Sequence, residues 1–238
     1  MIDPVGVARF ARYATPPNRR GYCGPSGFET TATSLAEHAE VRRSAREFIG
    51  AYPYLELLAG AAGLADPLAD PVVEAYWIGN PVATRVAVGD LGRSLSDRFR
   101  LRAGDAWSRL ELAVPQAVCN HAFHVLVVSP WVGLMRDGVV DEPLAIVDDC
   151  RVSWGTVREV GADSATVDRT PLEWSEGRLV VGEQRSIAVS TAIPVEVGDT
   201  VAIHWGSVCD VLNSQQLAWL RHVTASQLAL ADALGRPD

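Results

Sequence analysis

The spacing of apolar residues changes character along this chain, and the change predicts two kinds of architecture. From Ser34 the pattern is helical. Ser34 with Glu37 three residues on fits a capping box, and Val41, Ala45, Phe48 and Ile49 follow at the spacing of one helix face. Pro53 predicts a break or kink, with another turn or two over 54–62. Asp70-Pro71 reads as an N-cap followed by proline at the first helical position, opening a segment that carries Val72, Val73, Tyr76 and Trp77. Further helices are expected over 82–100, weakened by Gly89 and Gly92, and over 106–114. Residues 1–33, with Pro16-Pro17-Asn18 and Gly21-Tyr22-Cys23-Gly24-Pro25, predict irregular chain.

Near residue 115 the pattern turns to strands. His121 to Val132 is rich in valine and aromatic residues, and Leu144 to Val147 follows. Thr156–Val160 and Ser164–Val167 flank Gly161-Ala162-Asp163, a hairpin signal. Leu179–Gly182 and Ser186–Val189 suggest another pair, and Val197-Gly198-Asp199 a turn ahead of Val201–Trp205. Short strands at close spacing predict a small barrel. Asn213 with Gln216 then caps a closing helix bearing Leu217, Leu220, Val223 and Leu228. The expected class is α+β: a helical domain over 1–115, then a barrel with a C-terminal helix over 116–238.

The chain has 238 residues, enough for one large domain or two small ones. A net charge of −8 argues against a nucleic-acid partner, because no basic excess exists to neutralise phosphates. The start of the chain lacks the apolar core of a signal peptide, and the greasiest stretch, 123–135, contains His124 and Pro130 and is too short to span a bilayer. A cytoplasmic location without membrane contact is therefore expected. There, the four cysteines are expected to be thiols or metal ligands, not disulfides.

Two residues in the barrel region combine into a chemistry. Cys150 opens the run Cys150-Arg151-Val152-Ser153-Trp154-Gly155, and His204 ends the apolar strand Val201-Ala202-Ile203-His204. A soft thiolate and an imidazole together suit iron or another thiophilic metal. Strand alternation sets Val201 and Ile203 on one face and Ala202 and His204 on the other.

Over residues 150–213 the chain resembles the small hydrogenase assembly chaperones of the HypC/HupF type. Those proteins begin with cysteine, three residues, then Pro-Gly and a strand; Cys150 to Gly155 keeps the spacing, with Trp154 in place of the proline. Their Ala-x-Val-Asp strand is matched by Ala165-Thr166-Val167-Asp168, and their Val-Gly-Asp turn leading to His-x-Gly by Val197-Gly198-Asp199 and His204-Trp205-Gly206. The resemblance implies an OB-like barrel and a non-catalytic role in nickel–iron hydrogenase maturation. It implies that Cys150 and His204 hold iron, carrying cyanide and carbon monoxide ligands in the family. It implies as partner the hydrogenase large-subunit precursor or another assembly protein. Two departures stand out: the family cysteine is N-terminal whereas Cys150 is internal, and some 150 preceding residues have no counterpart. An internal Cys150 is expected on a surface loop, exposed by Asp148-Asp149.

Other residues offer alternatives. Cys119, His121 and His124 form a dense cluster that suits zinc in a metalloenzyme, or adds ligands to the Cys150 site; His121 and His124 share a face only if helical. Cys209 reads as a buried thiol near the closing helix that also reaches the metal region. Cys23, beside Arg19 and Arg20, reads as a loop thiol with a lowered pKa if exposed. Trp154 and Trp205 flank the site and suit a docking surface. A third reading is a metal-free interaction module, in which Cys150 is a small buried hydrophobe.

Overall fold

The computed structural model describes residues 3–30, 32–104 and 106–235. Helices come first: α1 (Pro4–Arg19), α2 (Leu35–Ala45), α3 (Tyr52–Ala62), α4 (Asp70–Trp77), α5 (Val88–Ala103), α6 (Ala106–Ala113), α7 (His121–Phe123, continued by a π-helical turn His124–Val128), α8 (Trp131–Arg136) and α9 (Asp141–Cys150). Seven strands follow: β1 (Ser153–Val160), β2 (Ser164–Arg169), β3 (Leu172–Ser175), β4 (Arg178–Val181), β5 (Arg185–Thr191), β6 (Thr200–His204) and β7 (Ser207–Val211). Helix α10 (Ser214–Ala233) closes the fold. The architecture is thus α+β, with helices, a closed five-stranded barrel in the order β1-β2-β5-β7-β6, and a C-terminal helix.

Both capping boxes form, Ser34 with Glu37 and Asn213 with Gln216. The Gly161–Asp163 hairpin joins β1 to β2. Four expectations need correction. The first segment is not irregular: Asp3 caps α1 by accepting from the amides of Val5 and Gly6, and Pro4 starts it. Residues 121–132 and 144–147 are helical, not strands. Asn120 Oδ1 takes the Ala122 amide and starts α7, while Asp141, Glu142 and Pro143 provide the acidic first turn and proline that begin α9. Packing of this valine-rich stretch against α6, α9 and α10 overrides its β-propensity. Strand structure therefore begins at Ser153, not near 115. Finally, β4 pairs with β3 as a separate hairpin, and β5 pairs with β2.

Small aliphatics fill the barrel: Val157, Ala165, Val167, Val189, Val201, Ile203 and Val208. Gly155 permits closure, since a Cβ there would lie 2.4 Å from Val167 Cγ1 and 2.6 Å from Asp168 O. The main core belongs to α1, whose Val7, Phe10, Ala11, Tyr13 and Ala14 are each 0% exposed. Each such large side chain contributes about 1.5–3 kcal/mol by leaving water. The same apolar cluster runs on into the barrel through Val152, Ala202 and Cys209. Arg9 and Arg12 of α1 both pair with Asp210 of β7, so the helical layer is clamped to the barrel by charge as well as by packing.

Candidate metal centre

Three elements meet where α1 crosses the barrel. Asn120 Nδ2 donates to Ala75 O (2.8 Å), which pins the start of α7 to α4 and sets His121 at its first position. Cys150 ends α9 and His204 ends β6. The Trp205 amide donates to Asp149 O (2.9 Å), drawing those two ends together. One donor atom from each of His121, Cys150 and His204 lies within 4.8 Å of the other two. Cys150 Sγ stands 3.8 Å from His121 Nε2. Donors bonded about 2.0–2.3 Å from one tetrahedral ion sit roughly 3.3–3.6 Å apart. The group therefore needs little movement to share an ion.

Hydrogen bonds set what each ring offers. His204 Nδ1–H donates to Tyr13 O at 2.8 Å, so the neutral ring keeps its lone pair on Nε2. That Nε2 is buried and makes no well-formed hydrogen bond, although the Cys150 carbonyl stands near it. An orphaned buried acceptor costs about 1–3 kcal/mol, which a cation would offset. His121 Nδ1 lies 3.1 Å from Tyr76 Oη, and His121 Nε2 lies 2.9 Å from Cys150 O. Tyr76 also reaches Gly50 O at 2.8 Å. The phenol has one proton and two candidate acceptors. When the proton goes to Gly50 O, the phenol oxygen accepts from His121 Nδ1–H and Nε2 is left as a ligand. When it goes to His121 Nδ1, Nε2–H donates to Cys150 O.

A cavity of about 160 Å³ adjoins the three side chains and is walled by Tyr22, Tyr76, Trp77 and Trp205. Burial dominates the acid–base state. It pulls His204 down to about 4, and pulls His121 well below its usual value, with the neighbouring His204 and His124 adding to the effect. Burial also pushes the Cys150 thiol up to about 12, helped by Cys23 and Asp149. Cys150 further sits at the negative end of α9, the reverse of the helix N-terminus that activates cysteines. Its expected surface loop is thus replaced by a helix end facing a cavity. Such a thiol is a poor free nucleophile, and a bound metal would supply the charge that deprotonates it. One soft sulfur and two neutral imidazoles fit iron(II) or zinc(II).

Among the described residues, the remaining candidates do not join this group of donor atoms, although Cys23 and His124 line the same cavity. His121 and His124 do fall on helical chain, but His124 Nδ1 faces Tyr54 Oη (3.2 Å), and Cys119 Sγ faces Tyr54 O (3.9 Å). The Cys119/His121/His124 cluster therefore does not converge, and only His121 joins the Cys150 site. Cys209 lies in β7, not at the closing helix, and its Sγ–H donates to Arg12 O at 3.4 Å. Cys23 lines the cavity, and burial raises its thiol to about 11 in place of the lowering expected from Arg19 and Arg20. Trp205 is only 4% exposed, packed on Tyr22 with ring centroids 4.4 Å apart, so it walls the cavity and offers no docking surface. Trp154 is half-buried between the guanidinium groups of Arg151 and Arg221.

The β6–β7 turn carries strain. Trp205 (φ 51°) and Gly206 (φ 70°) are both left-handed, as a two-residue turn of mirror-image type requires. A bulky residue there costs about 1–2 kcal/mol. Tyr22, Arg20 above the indole and the Asp149 carbonyl hold it, and the result fixes His204. Sequence reasoning missed the partners from α1 and the tyrosine pair because their contacts span the chain. Among the described residues no helix is long and apolar enough to cross a membrane. No curated protein and no solved structure matches the chain. A family profile does match, over residues 2–237, and the chain accordingly belongs to that family of unknown function, DUF6390.

Proposed function

We propose that the chain binds one iron ion through Cys150, His204 and His121, and serves as a HypC-like accessory of nickel–iron hydrogenase maturation. The observation that carries the reading is the meeting of Cys150 and His204, 54 positions apart in the sequence, with a bare Nε2 turned to the same cavity. The barrel order β1-β2-β5-β7-β6 and the closing helix support the OB-like fold that the resemblance implies. In this reading iron is cargo. The two imidazoles arrive neutral, and the thiol gives up its proton as it binds. The aromatic walls keep the site dry. The partner is the hydrogenase large-subunit precursor or another assembly protein, met by the helical layer.

The test is purification under reducing, oxygen-free conditions with metal analysis, alongside Cys150→Ala and His204→Ala, and a maturation assay in cells. Near-stoichiometric iron in the wild type, lost in both variants together with hydrogenase maturation, is the expected result. An iron-free wild type, with maturation untouched by Cys150→Ala, would defeat the proposal.

One observation favours a second reading. Three protein ligands beside a cavity also describe a catalytic zinc site, whose fourth position is left for water or substrate. That reading keeps the His121/Cys150/His204 site and makes the metal resident. Zinc that stays bound after incubation with the large-subunit precursor supports it; iron that leaves supports the carrier.

A further inference from the structure

Helix α1 ends in an unusual way. Pro16 and Pro17 lie inside it, yet the helix continues to Arg19. A proline at position i has no N–H for the carbonyl at i−4. Here the stripped carbonyls are those of Arg12 and Tyr13. Both face donors of the barrel: Arg12 O meets Cys209 Sγ–H at 3.4 Å, a proton it shares with Ser207 O at 3.5 Å, and Tyr13 O accepts from His204 Nδ1–H at 2.8 Å. A buried carbonyl without a donor is costly, so the proline pair makes two sticky points on a helix whose surroundings are apolar. Tyr13 itself is 0% exposed, so water cannot serve in place of the barrel.

We infer that Pro17 is a positioning residue for His204: by leaving the Tyr13 carbonyl free, it holds the imidazole proton on Nδ1 and turns Nε2 to the metal cavity. The inference rests on the reading of His121, Cys150 and His204 as a metal centre. The tautomer claim can be checked without metal. Any other residue at 17 restores an amide that competes for Tyr13 O. His204 then loses the bond that holds its proton on Nδ1, and the proton is free to move to Nε2, towards the Cys150 carbonyl, where it blocks ligation. Pro16 supplies an internal control. Its removal restores a donor for Arg12 O, which competes with Cys209, a thiol outside the proposed centre.

The experiment records imidazole ¹⁵N shifts of metal-free protein, followed by zinc titration against a chromophoric chelator. The wild type is expected to show His204 protonated on Nδ1. Pro17→Ala is expected to gain the Nε2–H form and to bind zinc about 10–100-fold more weakly, the usual effect of losing an outer-shell partner. Pro16→Ala is expected to match the wild type in both measurements. A wild-type His204 protonated on Nε2 overturns the inference. So does a Pro17→Ala protein unchanged in its tautomer, or a Pro16→Ala protein that loses as much. Should Pro17→Ala fail to fold, the wild-type tautomer and the through-bond coupling from His204 Nδ1–H to the Tyr13 carbonyl decide the matter. Should the wild type bind no metal, the proposed function fails, while the tautomer comparison still tests Pro17.

Discussion

Asp148 is the one carboxylate beneath two arginines at the root of the site, and its removal gives a sharp test of what holds α9 to the barrel. Its Oδ1 accepts from the Leu172 amide at 2.7 Å, while Arg169 Nη2 lies 2.8 Å away and Arg151 Nη2 3.3 Å away. Arg151 is 1% exposed, and burial pulls it down to about 10, opposed by Asp148 and assisted by Arg169. Asp148→Asn keeps the shape and deletes the charge. It leaves a buried guanidinium beside a second cation with no carboxylate to balance them. Breaking a buried pair from one side costs about 3–5 kcal/mol. The lower end applies here, because Arg151 retains the Thr170 carbonyl at 2.8 Å and the Trp154 ring face. Urea unfolding should show a loss near 3 kcal/mol, a large share of the roughly 5–15 kcal/mol typical of a native protein. Adding Arg151→Met to Asp148→Asn should recover part of that loss, since the stranded charge is then gone. A loss below about 1 kcal/mol would mean that solvent already screens the network, as at a surface pair. A double variant no more stable than the single one would refute the charge argument.

Further outcomes follow from the same geometry. Zinc at a hundred times its Kd should stabilise the wild type by about 2.7 kcal/mol in thermal unfolding, and Cys150→Ala should show no shift; equal shifts would place the ion elsewhere. Tyr76→Phe leaves His121 Nδ1 without its phenol partner, so its proton settles on Nε2 against Cys150 O. Zinc affinity should fall about 10–100-fold, and an unchanged affinity would remove His121 from the ligand set. Trp205→Gly relieves about 1–2 kcal/mol of left-handed strain but forfeits about 3–5 kcal/mol of buried indole. The net loss should be near 2 kcal/mol by urea unfolding, and a net gain would mean that strain dominates. Burial raises the Cys119 thiol to about 12. Below that value it stays protonated, and thiolate reactivity should climb tenfold for each unit of pH. At pH 8 the native protein should therefore resist iodoacetamide at Cys119, as mass spectrometry of labelled peptides will report; prompt labelling would contradict the burial.

Local signals carried far in the sequence, and long-range ones did not. Ser34–Glu37, Asn213–Gln216 and the Gly161–Asp163 hairpin each depend on neighbours a few residues apart, and each formed as read. The alternation Val201/Ile203 against Ala202/His204 also held: the first pair fills the barrel and the second faces α1. The valine-rich run after residue 120 misled, because composition favoured a strand while the cap at Asn120 and contacts with α6, α9 and α10 made helix. Helix α1 was hidden by its prolines, whose breaking effect falls in its last turn, where carbonyls can find partners outside the helix. His121 was legible as a ligand type but not as the third member of this site. Its approach to Cys150 depends on Asn120 reaching Ala75, a contact that no spacing in the chain announces.

The third ligand bears on how a carrier releases what it holds. Cys150 ends α9 and His204 ends β6 of the barrel, whereas His121 comes from α7 in the helical layer. On the proposed reading the added layer converts a two-point grip into a three-point one, and a tighter grip makes release the harder step. The Tyr76 hydroxyl offers a way out. With its proton on Gly50 O, His121 is a ligand; with its proton on His121 Nδ1, the ring's own proton sits on Nε2 and turns to Cys150 O. The switch needs the hydroxyl to turn and the ring to change tautomer, giving up its Nδ1 proton and taking one up on Nε2 in place of the metal, and it takes the site from three ligands to two. Gly50 lies in the short link between α2 and α3, so a partner that draws this link away removes the phenol's other acceptor. On the proposed reading, a partner docked on the helical layer would then favour the two-ligand state.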